Sequence, residues 1–301
     1  MEAPDERLHE AISQEVAAAP APAISAIAEA ARLRHGEGIL AVVFYGSVRR
    51  DHVDEGRLVD LYLLADSYRS LHASWFARRL NAALPPNVYY LEVPFEGRRV
   101  RAKYSLMTLE QFERAMRPET FQSYFWARFA QPSSLVWARD EESRARVVGA
   151  LAQAVQTLVA AAWPLFDGPP ASEPFWCRAF SETYSSELRA ERKGRAAQIY
   201  RSDSERYDRL LELVPRPPPA GAGGQARARR AWWARRVLGK TLSVLRLLKA
   251  AFTFQNGADY LAWKIGRHAG LEIELTPWQR RHPILAAPFL FWRLYLRGAI
   301  R

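Results

Sequence analysis

Gly46, Ser47 and Asp60 are residues whose types and spacing could do chemistry together. The chain reads Phe44-Tyr-Gly-Ser47, and Asp60 follows thirteen residues after Ser47 within Val59-Asp-Leu-Tyr62. A glycine lets the backbone approach an anion closely, and a serine with the N–H groups that open a helix can hold the anion's oxygens. A carboxylate on the adjacent strand would hold Mg²⁺ against the phosphates of a nucleoside triphosphate, polarising the α-phosphate and neutralising the leaving pyrophosphate. Asp60 lies inside the otherwise apolar run Leu58–Leu64. An unpaired carboxylate is costly to bury there, so a metal or a cationic partner is expected.

The elements that must position these residues follow from the apolar pattern. Ala-rich helices are predicted over 6–18 and 23–35, separated by Pro20 and Pro22 and stopped at His35-Gly36. Ile39–Tyr45 and Leu58–Leu64 are β-prone runs that predict neighbouring buried strands. A helix over Ser70–Leu84 ends at Pro85-Pro86, and two further strands, Val88–Val93 and Arg98–Leu106, flank the turn Phe95-Glu-Gly97. From Thr108, which with Gln111 resembles a capping box, the period becomes helical. Helices are predicted at 119–131, 141–163, 172–194 and 203–214. Pro215–Gly224 reads as a linker that cannot be helical, followed by a basic helix over 226–254, another over 259–268, and a Trp/Phe/Leu/Arg-rich tail. The fold class is therefore α/β: a mixed-sheet domain over 1–115, a helical domain over 116–214, a linker over 215–225 and a basic helical region over 226–301.

Strand, Gly-Ser turn, helix and Asp-bearing strand resemble the DNA polymerase β-like nucleotidyltransferase superfamily. That superfamily usually carries a second carboxylate two residues after the first; here the position is Tyr62. Later segments resemble one narrower family, the mitochondrial translocator assembly and maintenance proteins, which are peripheral phosphatidate cytidylyltransferases and also lack that second carboxylate. Tyr45-Gly-Ser47 and Asp60-Leu-Tyr-Leu-Leu64 are similar to its Tyr-Gly-Ser-Gly and Asp-Leu-Ile-Phe motifs. Asn87-Val-Tyr-Tyr90 resembles its Tyr-Phe-Asn-Pro stretch, and Arg101-Ala-Lys-Tyr104 its Ile-Lys-Tyr-Gly strand. Trp126–Pro132 is similar to an aromatic-Ala-Gly-Arg-Leu-His-Lys-Pro segment, with Gln131 in place of the Lys. Thr183–Arg189 resembles Ser-Tyr-X-Gly-Asp-X-Arg with Glu187 in place of Asp, and Leu247–Lys264 the family's closing Lys-Gly-Ile…Tyr-X-X-X-Lys segment.

The resemblance implies a nucleotidyltransferase-like domain that moves CMP from CTP to phosphatidic acid with Mg²⁺. It implies Asp60 and Lys103 as catalytic residues, and Tyr45, Gly46, Ser47, Tyr104 and Arg128 on the nucleotide. Asp60 and Glu187 would hold the metal. Read by themselves, some of these residues have plainer roles. Lys103 follows Arg98, Arg99 and Arg101, and is either a phosphate contact or one more solvated charge. Arg128 is either a phosphate clamp or part of a helix packing over Phe125 and Phe129. Glu187 is by composition a surface ion-pair residue, His72 a solvated helix residue and Cys177 a core thiol.

With 49% apolar and 25% charged residues, the chain is globular in composition, which excludes disorder throughout. Its net charge of +11 is unevenly placed: residues 226–301 hold 15 Lys/Arg against 3 Asp/Glu, leaving 28 basic and 29 acidic groups in the other 225 residues. Arg227, Arg229, Arg230, Arg235, Arg236, Lys240, Arg246 and Lys249 alternate with Trp232, Trp233, Leu238, Leu242, Leu245 and Leu248, which suits an interfacial helix on anionic lipid. In the tail, Phe289, Phe291, Trp292, Arg293 and Arg297 suit the headgroup region. Membrane contact is thus assigned to Trp232, Trp233 and those five tail residues; the competing reading packs the same apolar faces on the domain.

A single cysteine and an acidic opening without a signal or presequence pattern suggest a bacterial cytoplasm, with the protein held at the inner face of the membrane. No apolar run reaches the roughly 20 residues that span a bilayer. Two other classes compete: a nucleotidyltransferase acting on a sugar, antibiotic or protein hydroxyl, and a non-enzymatic RNA-binding protein using the Arg/Trp-rich end. The neutral body and the Gly-Ser/Asp arrangement tell against RNA, so no specific nucleic acid is expected. Oligomeric state is left open.

Overall fold

The apolar runs become the middle of a mixed five-stranded sheet. β1 (Ile39–Tyr45) lies antiparallel to β2 (Leu58–Ala65), and β3 (Asn87–Phe95) forms a hairpin with β4 (Arg98–Thr108). β4 runs parallel to β2, and β5 (Ser134–Ala138) pairs antiparallel with β1, giving the order β3-β4-β2-β1-β5. The hairpin turn is the expected one: Glu96 and Gly97 have φ of 46° and 75°, the left-handed pair that matches strand twist in two-residue turns. This computed structural model describes residues 4–51, 55–71, 74–188, 194–218, 220–253, 262 and 275–281.

Every residue of β1 is buried, so the sheet is covered on both faces. On one face α2 (Pro22–Leu33) packs Ile24, Ile27 and Ala31 with Val42, Phe44, Leu61, Leu63, Ala102 and Leu106. The other face, with Ala41, Val43, Tyr62 and Leu64, belongs to a larger core. That core takes in α1 (Pro4–Val16), α6 (Leu109–Met116), the short α7 (Trp126–Phe129), α8 (Glu141–Ala162), α9 (Ser172–Ser185) and α11 (Ser204–Leu213). Short helices α3 (Ser47–Asp51), α4 (Tyr68–Leu71), α5 (Trp75–Ala83) and α10 (Arg195–Arg201) complete the body; α12 (Gly221–Thr253) and α13 (Pro277–Arg281) follow. The stretch from Glu141 to Leu165 is long and apolar enough to cross a bilayer, yet 67% of its most apolar window is buried inside the protein, as the central core helix.

Several expectations change. The helix over Ser70–Leu84 is divided, because Ser74 turns its side chain to the Ala77 N–H and caps a separate α5. The helix over 119–131 is cut down to α7, and Ser134–Ala138, between two expected helices, form β5, so the region assigned to a helical domain supplies an edge strand to the sheet. The helix over 172–194 ends at Ser185, and a further helix, α10, follows Gly194. The linker is shorter than expected, since α12 already starts at Gly221. Thr108 does cap α6, accepting from the Gln111 N–H at 3.2 Å. The helix expected over 259–268 and the tail from 283 lie outside the described residues, as does His72.

α12 docks on the body. Trp232 is only 1% exposed, its indole N–H donates to the Ala161 carbonyl at 3.0 Å, and its ring meets Trp126 edge-on. Gly239 lets the helix come close: a Cβ there would stand 2.3 Å from the Ser186 carbonyl oxygen. Glu182 of α9 pairs with Arg178 at 2.8 Å and with Arg236 of α12 at 3.5 Å.

Candidate functional site

Side chains alternate across a sheet, so residues in register share a face. The row Tyr45, Asp60, Lys103, Tyr90 crosses β1, β2, β4 and β3 in register. Asp60 therefore finds its cationic partner at once: Lys103 Nζ lies 3.4 Å from Asp60 Oδ1, with both side chains half-buried. Gly46 closes β1 with φ of 91°, and a Cβ on it would stand 2.6 Å from Asp60 Oδ2. Glycine here serves both the left-handed backbone and the close approach of the carboxylate. Ser47 opens α3, whose Arg50 donates to Gln131 Oε1 at 2.9 Å.

These residues line a cavity of about 410 Å³ together with Arg128, Glu187, Tyr124 and part of α12. Arg128 Nη2 donates to Glu187 Oε1 at 3.2 Å, and its guanidinium carbon sits 4.1 Å from the Tyr124 ring centroid. Burial works against the Arg128 charge, but Tyr124, Glu187 and Tyr45 outweigh it and hold its pKa well above the usual arginine value. Burial works to raise the Tyr124 phenol, yet Arg128 and Arg246 bring it below the ordinary tyrosine value. Tyr45 is pushed well up, by burial first and by the Asp60 charge second.

Of the residues expected at the site, Tyr45, Gly46, Ser47, Asp60, Lys103, Arg128 and Glu187 converge on this cavity. Tyr104 does not. It follows Lys103 on β4 and so points to the opposite face, where it stacks on Tyr89 and its hydroxyl meets His35 Nε2 at 3.0 Å. Tyr62, on the Asp60 face, packs against Tyr45, Phe112 and Phe129 in the core. Cys177 is a half-buried thiol raised by burial.

The assignments on the basic region also divide. Trp232 is a core residue and leaves no surface for lipid, whereas Trp233 beside it is 63% exposed. Arg246 and Lys249, expected among the cations of a lipid-facing helix, turn inward and line the cavity. Lys249 Nζ donates to Asn81 Oδ1 and to the carbonyls of Leu84 and Pro86. Their spacing carries the signal: Ser243, Arg246, Lys249 and Ala250 recur at three and four residues and share one helix face. Tyr124 carried no such signal. Phe289, Phe291, Trp292, Arg293 and Arg297 lie outside the described residues.

No group of three or more His, Cys, Asp or Glu side chains able to hold a metal occurs among the described residues. Asp60 and Glu187 both present carboxylate oxygens to this cavity, the donor type of which Mg²⁺ takes one or two beside waters and substrate phosphates, and each is paired with a cation, Lys103 at 3.4 Å and Arg128 at 3.2 Å. Neither a protein-family model nor a curated protein matches the chain.

Proposed function

We propose that the protein is a nucleotidyltransferase of the polymerase β-like kind that transfers CMP from CTP to phosphatidic acid, giving CDP-diacylglycerol and pyrophosphate. One observation carries the reading. A single cavity holds a glycine turn, a carboxylate paired with a lysine, and a buried arginine, while Leu188 and Leu247, 48% and 64% exposed, stand at its rim. Cations inside and leucines at the mouth suit an acceptor with a phosphate head and apolar tails.

In this mechanism an oxygen of the lipid phosphate attacks the α-phosphorus of CTP. The new P–O bond forms as the bond to the β-phosphate bridging oxygen breaks, and pyrophosphate leaves with that electron pair. The acceptor oxygen is already anionic near neutral pH, so no strong general base is needed. Gly46 and Ser47 give the triphosphate a close backbone approach. Lys103 and Arg128 offset charge that gathers as two anions are brought together. Asp60, joined by Glu187, would hold Mg²⁺, which when bound polarises the α-phosphate and screens the leaving group. Tyr45, buried, forms part of the wall of the site.

Peripheral attachment to an anionic membrane belongs to the same reading. On α12 the exposed residues Trp233, Val237, Val244 and Leu248 recur at helical spacing beside the exposed cations Arg229, Arg230 and Lys240. The deciding experiment incubates purified protein with Mg²⁺, labelled CTP and phosphatidic acid in mixed micelles, beside an Asp60→Ala control. Lipid-dependent pyrophosphate from the intact protein alone is the expected result. Its absence, or equal release with a soluble hydroxyl acceptor, would refute the assignment.

A further inference from the structure

Tyr45, Arg128, Tyr124 and Arg246 form an alternating stack of rings and guanidiniums. The Arg128 carbon lies 5.9 Å from the Tyr45 ring centroid and 4.1 Å from that of Tyr124, and the Arg246 carbon lies 4.0 Å from Tyr124. The stack starts beside Gly46 and ends on α12 beside Leu247. It thus leads from the phosphate turn to the apolar rim.

Both arginines are fixed and both hold a donor in reserve. Arg246 Nε donates to the Pro85 carbonyl at 2.9 Å and Nη2 to Gln122 Oε1 at 2.8 Å, while Arg246 Nη1 is buried without an acceptor. Arg128 Nη2 is held by Glu187, and Arg128 Nη1 is likewise buried without an acceptor. A buried charged donor left unmade is expensive, and a planar guanidinium is well matched to phosphate oxygens.

We infer that Arg246 recognises the phosphate of the acceptor lipid, making the basic C-terminal helix part of the substrate site; this rests on the cytidylyl-transfer reading above. Gly46, Ser47 and Asp60 occupy the end of the cavity suited to the triphosphate. Arg128, touching both Tyr45 and Tyr124, stands between the two anions. Arg246 is at the other end, and its chain neighbour Leu247 is exposed at the rim. A phosphate held by Arg246 can therefore send its acyl chains out past Leu247 and Leu188, since only a glycerol unit separates the two parts of the lipid.

The test uses the full chain with Arg246→Gln and Arg246→Lys in mixed micelles. KM is measured for phosphatidic acid and, separately, for CTP; binding of dioctanoyl phosphatidic acid and of CTP is followed by calorimetry. Arg246→Gln is expected to raise KM for the lipid and weaken its binding by about tenfold to a hundredfold, the loss of one charge-assisted hydrogen-bonding group, with the CTP values within about twofold. Arg246→Lys recovers part of the loss. If Arg246→Gln melts early, Arg246→Lys decides instead, because it keeps the charge and loses only the fork. A rise in the CTP constants equal to that for lipid, or lipid constants unchanged in both variants, overturns the inference while leaving the reaction intact. A wild-type protein without lipid-dependent turnover refutes the reaction itself, and the inference with it.

Discussion

Asp60 and Lys103 are register partners across the parallel β2–β4 ladder, and their side chains meet at 3.4 Å on the face that lines the cavity. The sheet itself brings carboxylate and ammonium together, with no loop closure required. Because both groups are partly exposed, the pair adds at most about 1 kcal/mol to stability. Asp60→Asn should therefore leave the melting temperature almost unchanged while lowering turnover by about 10²–10³-fold, the cost of one electrostatic group at a charged transition state. Lys103→Ala should fall in the same range. Pyrophosphate release and thermal denaturation on the same preparations check this.

Gly46 couples backbone shape to that carboxylate. Alanine there would adopt a φ of 91° and place its Cβ 2.6 Å from Asp60 Oδ2, so it must displace Asp60. Gly46→Ala should cost about 1–2 kcal/mol of stability from the left-handed backbone alone. It should also reduce turnover as far as Asp60→Asn does. Denaturant midpoints beside rate measurements separate the two effects.

Trp232 and Trp233 are adjacent in sequence and opposite in environment. Trp232→Ala opens a cavity against Trp126 and orphans the Ala161 carbonyl, so a loss of about 3–5 kcal/mol is expected in chemical denaturation. Trp233→Ala should stay within about 0.5 kcal/mol of the parent. In flotation with anionic liposomes the order reverses: Trp233→Ala reduces the bound fraction of folded protein, because only Trp233 faces outward.

Lys249 makes stability depend on pH. Burial, with Arg246 nearby, pushes its ammonium down from 10.5 to about 8. The unfolded chain therefore binds the proton more tightly, and the contribution of this group is complete above pH 10.5 and lost as pH falls through about 8. Relative to Lys249→Met, the parent should gain up to about 3 kcal/mol between those limits. Urea denaturation of both proteins at pH 8, 9 and 10 gives the difference; a falling or flat difference would contradict the burial assigned to Lys249.

Local chemistry in the sequence was enough for the first four strands, the Thr108 cap, the Glu96-Gly97 turn and the grouping of Gly46, Ser47 and Asp60. Each depends on a short apolar period, a backbone preference or a residue at fixed spacing, which the chain carries within a few positions. Lys103 and Tyr104 are both expected at the site, but strand alternation lets only one of two neighbours reach it. The β2–β4 register decided that in favour of Lys103. Likewise, the sequence placed Trp232 and Trp233 together on a lipid-facing helix and counted Arg246 and Lys249 among its cations, because local spacing does not say what covers a helix face. Only the packing of α12 against α7 and α8 turned Trp232 inward, and only its contact with the α5–β3 connection did so for Arg246 and Lys249. The same holds for β5, whose five residues become a strand through pairing with β1 across ninety residues of chain. A period fixes which side chains share a surface; the partner of that surface is set by distant segments and exists only once the chain has folded.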